Sequence, residues 1–472
     1  MTGYSAIGYP AQMAQDSFPP LPPMNRLLAH PSTERLLVQF NRENVVTGCG
    51  DILEDLRRAL AEGYAIDPEA LEPEAILARL ESRLAAASRV GLQRVVNASG
   101  LLIHTHLGRA SLPQPAVDAI VRAATQPLNL EYDLAQGDRG PREETIADLL
   151  MDLTGAEAAT VVNNNTAAVL LVLNTLATGK EVLVPRGAPA NMGGPFKMLD
   201  LMARSGAIVK EVGTASGARV ADYEAAIDER TTLVVRLHAG DDIADLVALA
   251  KRRGVAVMEA LGAGALVDLR RRGLPKAPVV AERIAAGVDV VTFSGDKIVG
   301  GPEAGLVVGR SHSVDQLSRN PLHRAVRCDK LTIAALEITL RMYRESAYVI
   351  HDMPALRVLT RPLADIDDTA RRALPALASA LGAGFRVSVQ DSLSKVTSDG
   401  LHDDLIPTKV IVIEHDYLGA TRIASRFRQA RPPIIGTIKD DWFVLDARAV
   451  FDPLDLVPNW GDELDVGPGP QP

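Results

Sequence analysis

The chain has 472 residues, with 50 basic and 59 acidic side chains and a formal charge of −9. A hydrophobic content of 47% and a charged content of 23% are ordinary globular values that exclude wholesale disorder, and the length predicts two or three domains. The acidic total argues against wholesale electrostatic binding of nucleic acid but leaves local basic patches open, while two cysteines, Cys49 and Cys328, are too few for a disulfide framework or an all-cysteine zinc site and fit a reducing cytoplasm.

In chain order, residues 1–16 lack a basic flank followed by an apolar run, and no apolar stretch approaches the length of a membrane span. A soluble, cytoplasmic protein with no membrane partner is expected. Residues 1–24 hold Pro10 and the cluster Phe18-Pro19-Pro20-Leu21-Pro22-Pro23 and read as an extended arm. Residues 25–90 read as a helical domain. Ser32 is a candidate N-cap, Gly63 a stop, Asp67-Pro68 a new start, and Leu77, Leu80 and Leu84 share one helical face. Residues 25–90 hold 8 arginines and 11 acids, so this region is itself slightly acidic.

From 91 to 330, short β-branched runs alternate with helical segments. They include Thr160-Val161-Val162, Val182-Leu183-Val184, Ile208-Val209, Leu233-Val234-Val235, Val255-Ala256-Val257-Met258, Val290-Val291-Thr292-Phe293 and Leu306-Val307-Val308. This alternation predicts an α/β domain: an open, mostly parallel sheet with helices on both faces and ligands at the carboxyl ends of its strands. A long helix from Lys330 to about Arg344 then leads into an α+β small domain over 331–455. Residues 456–472, ending in Gly467-Pro468-Gly469-Pro470, read as a tail.

Four motifs carry chemistry. Asn163-Asn164-Asn165 stands between a strand and a helix, where free N–H groups and the helix dipole suit an anion such as a phosphate; the bland alternative is a polar cap. Ser294-Gly295-Asp296-Lys297 follows a strand. A strand-end lysine can form a Schiff base with a carbonyl cofactor, and only ten lysines exist in the chain. A serine hydrolase of the S-x-x-K type would also need S-D-N and K-T-G, and neither string occurs. His104-Thr105-His106 would put two imidazoles on one strand face, but no further metal ligands are evident and no metal is assigned. Arg109, Arg324 and Arg327 suit an oxyanion or phosphate substrate, or else an ordinary salt-bridged surface.

Together these strings resemble bacterial selenocysteine synthase, the L-seryl-tRNA(Sec) selenium transferase family. The likeness runs from about Pro23 to Phe451. It is carried by Val96-Asn97-Ala98-Ser99-Gly100, His104 through Ala110, Asn129-Leu130-Glu131-Tyr132-Asp133, the asparagine run, Thr292 through Pro302, Asn320 through Lys330, and Arg431-Pro432-Pro433. The resemblance implies the fold-type-I architecture of enzymes that use pyridoxal phosphate, a helical N-terminal domain that grips tRNA, and a homo-oligomer built as a ring of dimers. It implies that Lys297 holds pyridoxal phosphate, that Lys297 and Asp296 do the catalytic work, and that Asn163, Asn164, Asn165 and Ser294 help to bind the cofactor. Arg109, Arg324 and Arg327 would surround selenophosphate. Seryl-tRNA(Sec) would become selenocysteinyl-tRNA(Sec) through a dehydroalanyl intermediate.

The chain departs from the family at several positions. The family's aspartate for the pyridine nitrogen is Ala260 here, and the adjacent Glu259 is expected on the opposite strand face. A charged hydrogen bond is worth roughly 1.5–3 kcal/mol, about one to two decades of rate if it is felt in the transition state. Ala188, Asn191, Ala215 through Ala218 and the short loop His238-Ala239-Gly240-Asp241 also differ. Two rival readings follow: a divergent pyridoxal phosphate lyase acting on a small amino acid, and a non-enzymatic RNA-binding scaffold.

Overall fold

The computed structural model describes residues 21–460 apart from 65, 89–90, 187–197, 215–216, 238–241, 275–276 and 398–404. Most of the proline-rich arm, residues 461–472 of the tail, Ala188, Asn191, Ala215, Ser216 and the loop 238–241 therefore lie outside the described residues. The chain divides into two compact units, Met1–Gln93 and Arg94–Pro472. No helix among the described residues is long and apolar enough to cross a membrane.

The first unit is helical: α1 (Met24–Leu28), α2 (Pro31–Gln39), α3 (Arg42–Ala61) and α4 (Pro73–Ala87). Leu77, Leu80 and Leu84 of α4 pack with Leu27, Val45, Cys49, Ile52 and Leu53 in one apolar core, each large side chain contributing about 1.5–3 kcal/mol by burial. Asn41 caps α3, and Gly63 follows it at φ +84°. Two sequence expectations change. His30, not Ser32, caps α2, because Pro31 takes the first helical position and puts Ser32 inside the helix, where its N–H donates to the His30 ring. Asp67-Pro68 opens a 3₁₀ turn, Pro68–Leu71, before α4 starts.

The second unit is built on a seven-stranded sheet. Its strands are β1 (Ala158–Val162), β2 (Glu181–Pro185), β3 (Ile208–Val212), β4 (Thr231–Arg236), β5 (Ala256–Gly262), β6 (Val290–Ser294) and β7 (Gly305–Gly309). They lie in the order β1-β7-β6-β5-β4-β2-β3. Only β7 runs antiparallel to its neighbours, β1 and β6. The expected open, mostly parallel sheet is present. Alternation along β5 divides its side chains between two cores: Val257 and Leu261 join one, Met258 and Ala260 the other. The second core is filled by α5 (Asn165–Ala177), whose Ala168, Val169, Leu171 and Val172 are fully buried. On the other face lies α6 (Ile243–Arg253), through Leu246, Leu249 and Ala250.

A second sheet comprises β8 (Phe385–Thr397), β9 (Leu405–His415), β10 (Thr437–Lys439) and β11 (Trp442–Asp446), with the short strand Leu101–Ile103 added beside β8. The helix Leu363–Leu381 covers it, packing Ile366, Ala370, Ala373 and Leu377 onto Ile411, Ile413 and Leu445.

Candidate active site

The carboxyl ends of β1 and β6 meet the start of β7, and the strand-end motifs converge there. Ser294 ends β6, is nearly fully buried, and is paired with Gly305 of β7, which is paired in turn with Val162 of β1. One strand thus separates Ser294 from the asparagine run. Gly305 must be glycine: a Cβ there would stand 2.2 Å from the backbone oxygen of Asn164. Lys297 sits in the tight connection between β6 and β7, held by Gly295 N–H to Ala304 (2.9 Å), Gly301 N–H to Gly295 (2.7 Å) and Gly300 N–H to Lys297 O (3.0 Å).

The three asparagines do three different things. Asn164 caps α5, its Oδ1 accepting from Ala167 N–H at 2.8 Å. Asn163 N–H donates to the Val326 carbonyl at 2.7 Å, which ties the turn to the segment carrying Arg324 and Arg327. Asn165 Oδ1 is buried without a hydrogen-bond partner among the described residues. The bland capping reading accounts for Asn164 alone. The site therefore offers a helix start with free N–H groups, the Ser294 hydroxyl, and a lysine on the connection that follows Ser294.

Arg109 and Asp296 form an ion pair next to Lys297, and Arg109 also donates to Glu303 at 3.1 Å. Arg109 itself is left-handed, at φ 62°. Burial raises the Asp296 carboxyl above the usual range, and the Arg109 charge only partly offsets this. Burial acts to lower the Arg109 pKa, but Asp296 and Glu303 outweigh it and hold the guanidinium more firmly charged. His104 and His106 precede this arginine, and here the expectation of a shared strand face fails. The strand ends at Ile103, and residues Thr105–Leu107 form a 3₁₀ turn in which His106 N–H donates to His104 Nδ1 at 3.2 Å.

Arg324 and Arg327 lie in and after the short helix Pro321–Ala325. Arg324 is exposed, and Arg327 reaches Glu131 at 3.4 Å. Arg109 and Arg327 thus pair with different acids, and the chain does not gather the three arginines round one carboxylate. Neighbours that the sequence reading missed fix this segment. Arg142 bonds Glu131 at 2.7 Å and the Cys328 carbonyl at 2.7 Å. Thr160 of β1 bonds Glu143 at 2.8 Å and His323 Nε2 at 2.9 Å. The string Pro141-Arg142-Glu143 stood in plain view, but only the fold brings it beside His323.

Ala260 is buried on the α5 face of β5, and Glu259 points the other way as expected. Glu259 is fully buried, and its nearest charged partner is Arg283 Nε at 3.8 Å. Burial pushes its pKa up to about 7 against the pull of Arg283 and Arg236. Glu259 therefore supplies no acid on the face of Ala260.

The L-seryl-tRNA selenium transferase family profile matches residues 95–451. The L-seryl-tRNA(Sec) selenium transferase of Methylocella silvestris is 40% identical over 445 residues, covering 92% of this chain and 94% of its own. That of Nitratidesulfovibrio vulgaris is 40% identical over 412 residues, covering 85% and 88%. Among solved structures, a D-glucosaminate-6-phosphate ammonia-lyase superposes with a TM-score of 0.54 at 19% identity, covering 76% of this chain and 92% of that one, a likeness of fold.

Proposed function

The chain belongs to the L-seryl-tRNA selenium transferase family, and from that premise we propose that it converts seryl-tRNA(Sec) to selenocysteinyl-tRNA(Sec) with pyridoxal phosphate held at Lys297. The observation that carries this reading is the convergence of Lys297 and Ser294 with the capped start of α5, separated only by Gly305.

The residues present fit the cofactor's phosphate and carbonyl. The Ser294 hydroxyl and the free N–H groups of the α5 start offer donors to the phosphate, and Lys297, on the connection that follows Ser294, supplies the amine. Ala260 does not fit the acid that a protonated ring nitrogen needs. When bound, pyridoxal phosphate supplies an electron sink for bond cleavage at the seryl Cα. Lys297 Nζ moves the proton at that Cα. Asp296 and Glu303 hold Arg109 in place, so its guanidinium is a fixed positive group near the lysine. Arg324 and Arg327, on a segment bonded to the Asn163 turn, are positioned for an anionic selenium donor, selenophosphate. The chain would assemble as a homo-oligomer, a ring of dimers. The helical first unit would take the tRNA, and the reaction would run in the cytoplasm.

Borohydride reduction of the purified protein followed by peptide mapping tests the reading. A cofactor adduct at Lys297 is expected, and its absence removes the basis for the enzymatic function. Selenophosphate-dependent conversion of seryl-tRNA(Sec) then separates this activity from a lyase acting on free amino acids.

A further inference from the structure

Beside the lysine-bearing connection lies a polar atom that no described residue uses. Thr292 of β6 is fully buried, and its Oγ1 has no hydrogen-bond partner among the described residues. Thr292 is in register with Ala260 of β5, so both side chains leave the sheet on one face. That is the α5 face, where Ala260 packs in one core with Val290, Val307 and Ala168. Immediately beyond, the β5–β6 register slips between Thr292 and Phe293, and Ala263 N–H turns back onto Leu261 O at 2.6 Å. Irregularities of this kind end strand pairing and re-aim side chains at a site. Two nearby acids are turned elsewhere: Glu259 of β5 faces Arg283 on the opposite side, and Asp296, in the connection after β6, is paired with Arg109. A buried hydroxyl without a partner is costly, and a bound acceptor relieves that cost.

We propose that Thr292 is a cofactor-contact residue whose hydroxyl donates a hydrogen bond to an unprotonated ring nitrogen of pyridoxal phosphate. The proposal rests on the pyridoxal phosphate reading above and deepens it. A protonated ring nitrogen needs an acceptor with negative charge, and Ala260 brings none. A neutral ring nitrogen needs only a donor, and Thr292 Oγ1 is the unused donor beside Ala260. The chain would in this way keep the cofactor with alanine at position 260. The ring would withdraw electrons less strongly, and more of the burden of expelling the β-hydroxyl would fall on the chain's own acid–base groups.

The test uses the full-length protein loaded with pyridoxal phosphate labelled at the ring nitrogen and read by nitrogen NMR, with borohydride trapping at Lys297 on a parallel sample. The wild-type resonance should lie in the neutral-pyridine range. Ala260→Asp should move it into the protonated range. Thr292→Val, close in shape, should shift it away from the hydrogen-bonded position and weaken cofactor retention about five- to tenfold, the loss of one ordinary hydrogen bond. Thr292→Ser should keep the wild-type signal. A protonated nitrogen in the wild type, or an unchanged resonance in Thr292→Val, overturns the proposal while leaving the cofactor reading intact. Absence of any adduct at Lys297 overturns the cofactor reading itself, and this proposal with it.

Discussion

The carboxyl of Glu259 lies fully inside the sheet, neither oxygen is hydrogen-bonded among the described residues, and Arg283 is too distant, at 3.8 Å, for a hydrogen bond. Burial raises its pKa from 4.5 to about 7. A carboxyl whose folded pKa is raised gives stability that is complete below the unfolded value and is lost as pH climbs through the folded one. Between pH 5 and 8 this group alone should therefore cost about 2–3 kcal/mol. Glu259→Gln should flatten the fall in thermal midpoint over that range and leave the protein more stable at pH 8; a wild-type midpoint that does not decline would refute the assignment. Asp296 is a second buried acid, but it has a partner. Arg109→Ala leaves that carboxyl without its cation, and a denaturant titration should show a loss of about 2–4 kcal/mol. Adding Asp296→Asn to Arg109→Ala should recover part of the loss, because the burden then is the uncompensated charge.

At the scale of elements, the start of α5 depends on β7 being bare. In Gly305→Ala the new methyl meets the Asn164 carbonyl, and the strand or the helix start must move. Overpacking of this kind costs about 1–3 kcal/mol. The displaced atoms belong to the proposed phosphate cradle, so retention of pyridoxal phosphate through gel filtration should fall in the same variant. A stable variant that keeps its cofactor would show that the cradle lies elsewhere. The elements themselves were legible in the sequence because their signals are local: β-branched runs, caps and a scarce lysine at a strand end. What stayed hidden was decided by geometry between distant segments. Thr160, Glu143 and His323 form one network from three separate stretches, and no spacing rule links them. The two-histidine string was misread because Ile103 is the last strand residue, and strand alternation does not continue into a 3₁₀ turn. Ser32 lost its capping role to His30 because Pro31 suits the first helical position. The unused hydroxyl of Thr292 was invisible in the same way, since register with Ala260 is a property of two paired strands.

The whole molecule carries −9, and its proposed substrate is a polyanion, so long-range attraction does not drive binding. Local cations must do so, and in the first unit they include arginines on α3 and α4, beside Arg26 on α1 and Arg35 on α2. Arg83 bonds Asp55 at 2.7 Å and Arg58 lies 3.9 Å from Glu54, which reduces what either offers to a phosphate. Arg57 and Arg79 are exposed on the same two helices, whose inner faces are sealed by Leu53, Leu56, Leu77 and Leu80. Replacing both by alanine therefore leaves the apolar core untouched. If this unit holds the tRNA backbone, Arg57→Ala with Arg79→Ala should weaken seryl-tRNA binding about tenfold and reduce the slope of log affinity against log salt by about one to two, since each phosphate contact contributes close to one. The Lys297 adduct and the thermal midpoint should not change. An unaltered salt slope in this double variant, measured by filter binding across a salt series, would mean that the tRNA backbone is gripped by other cations.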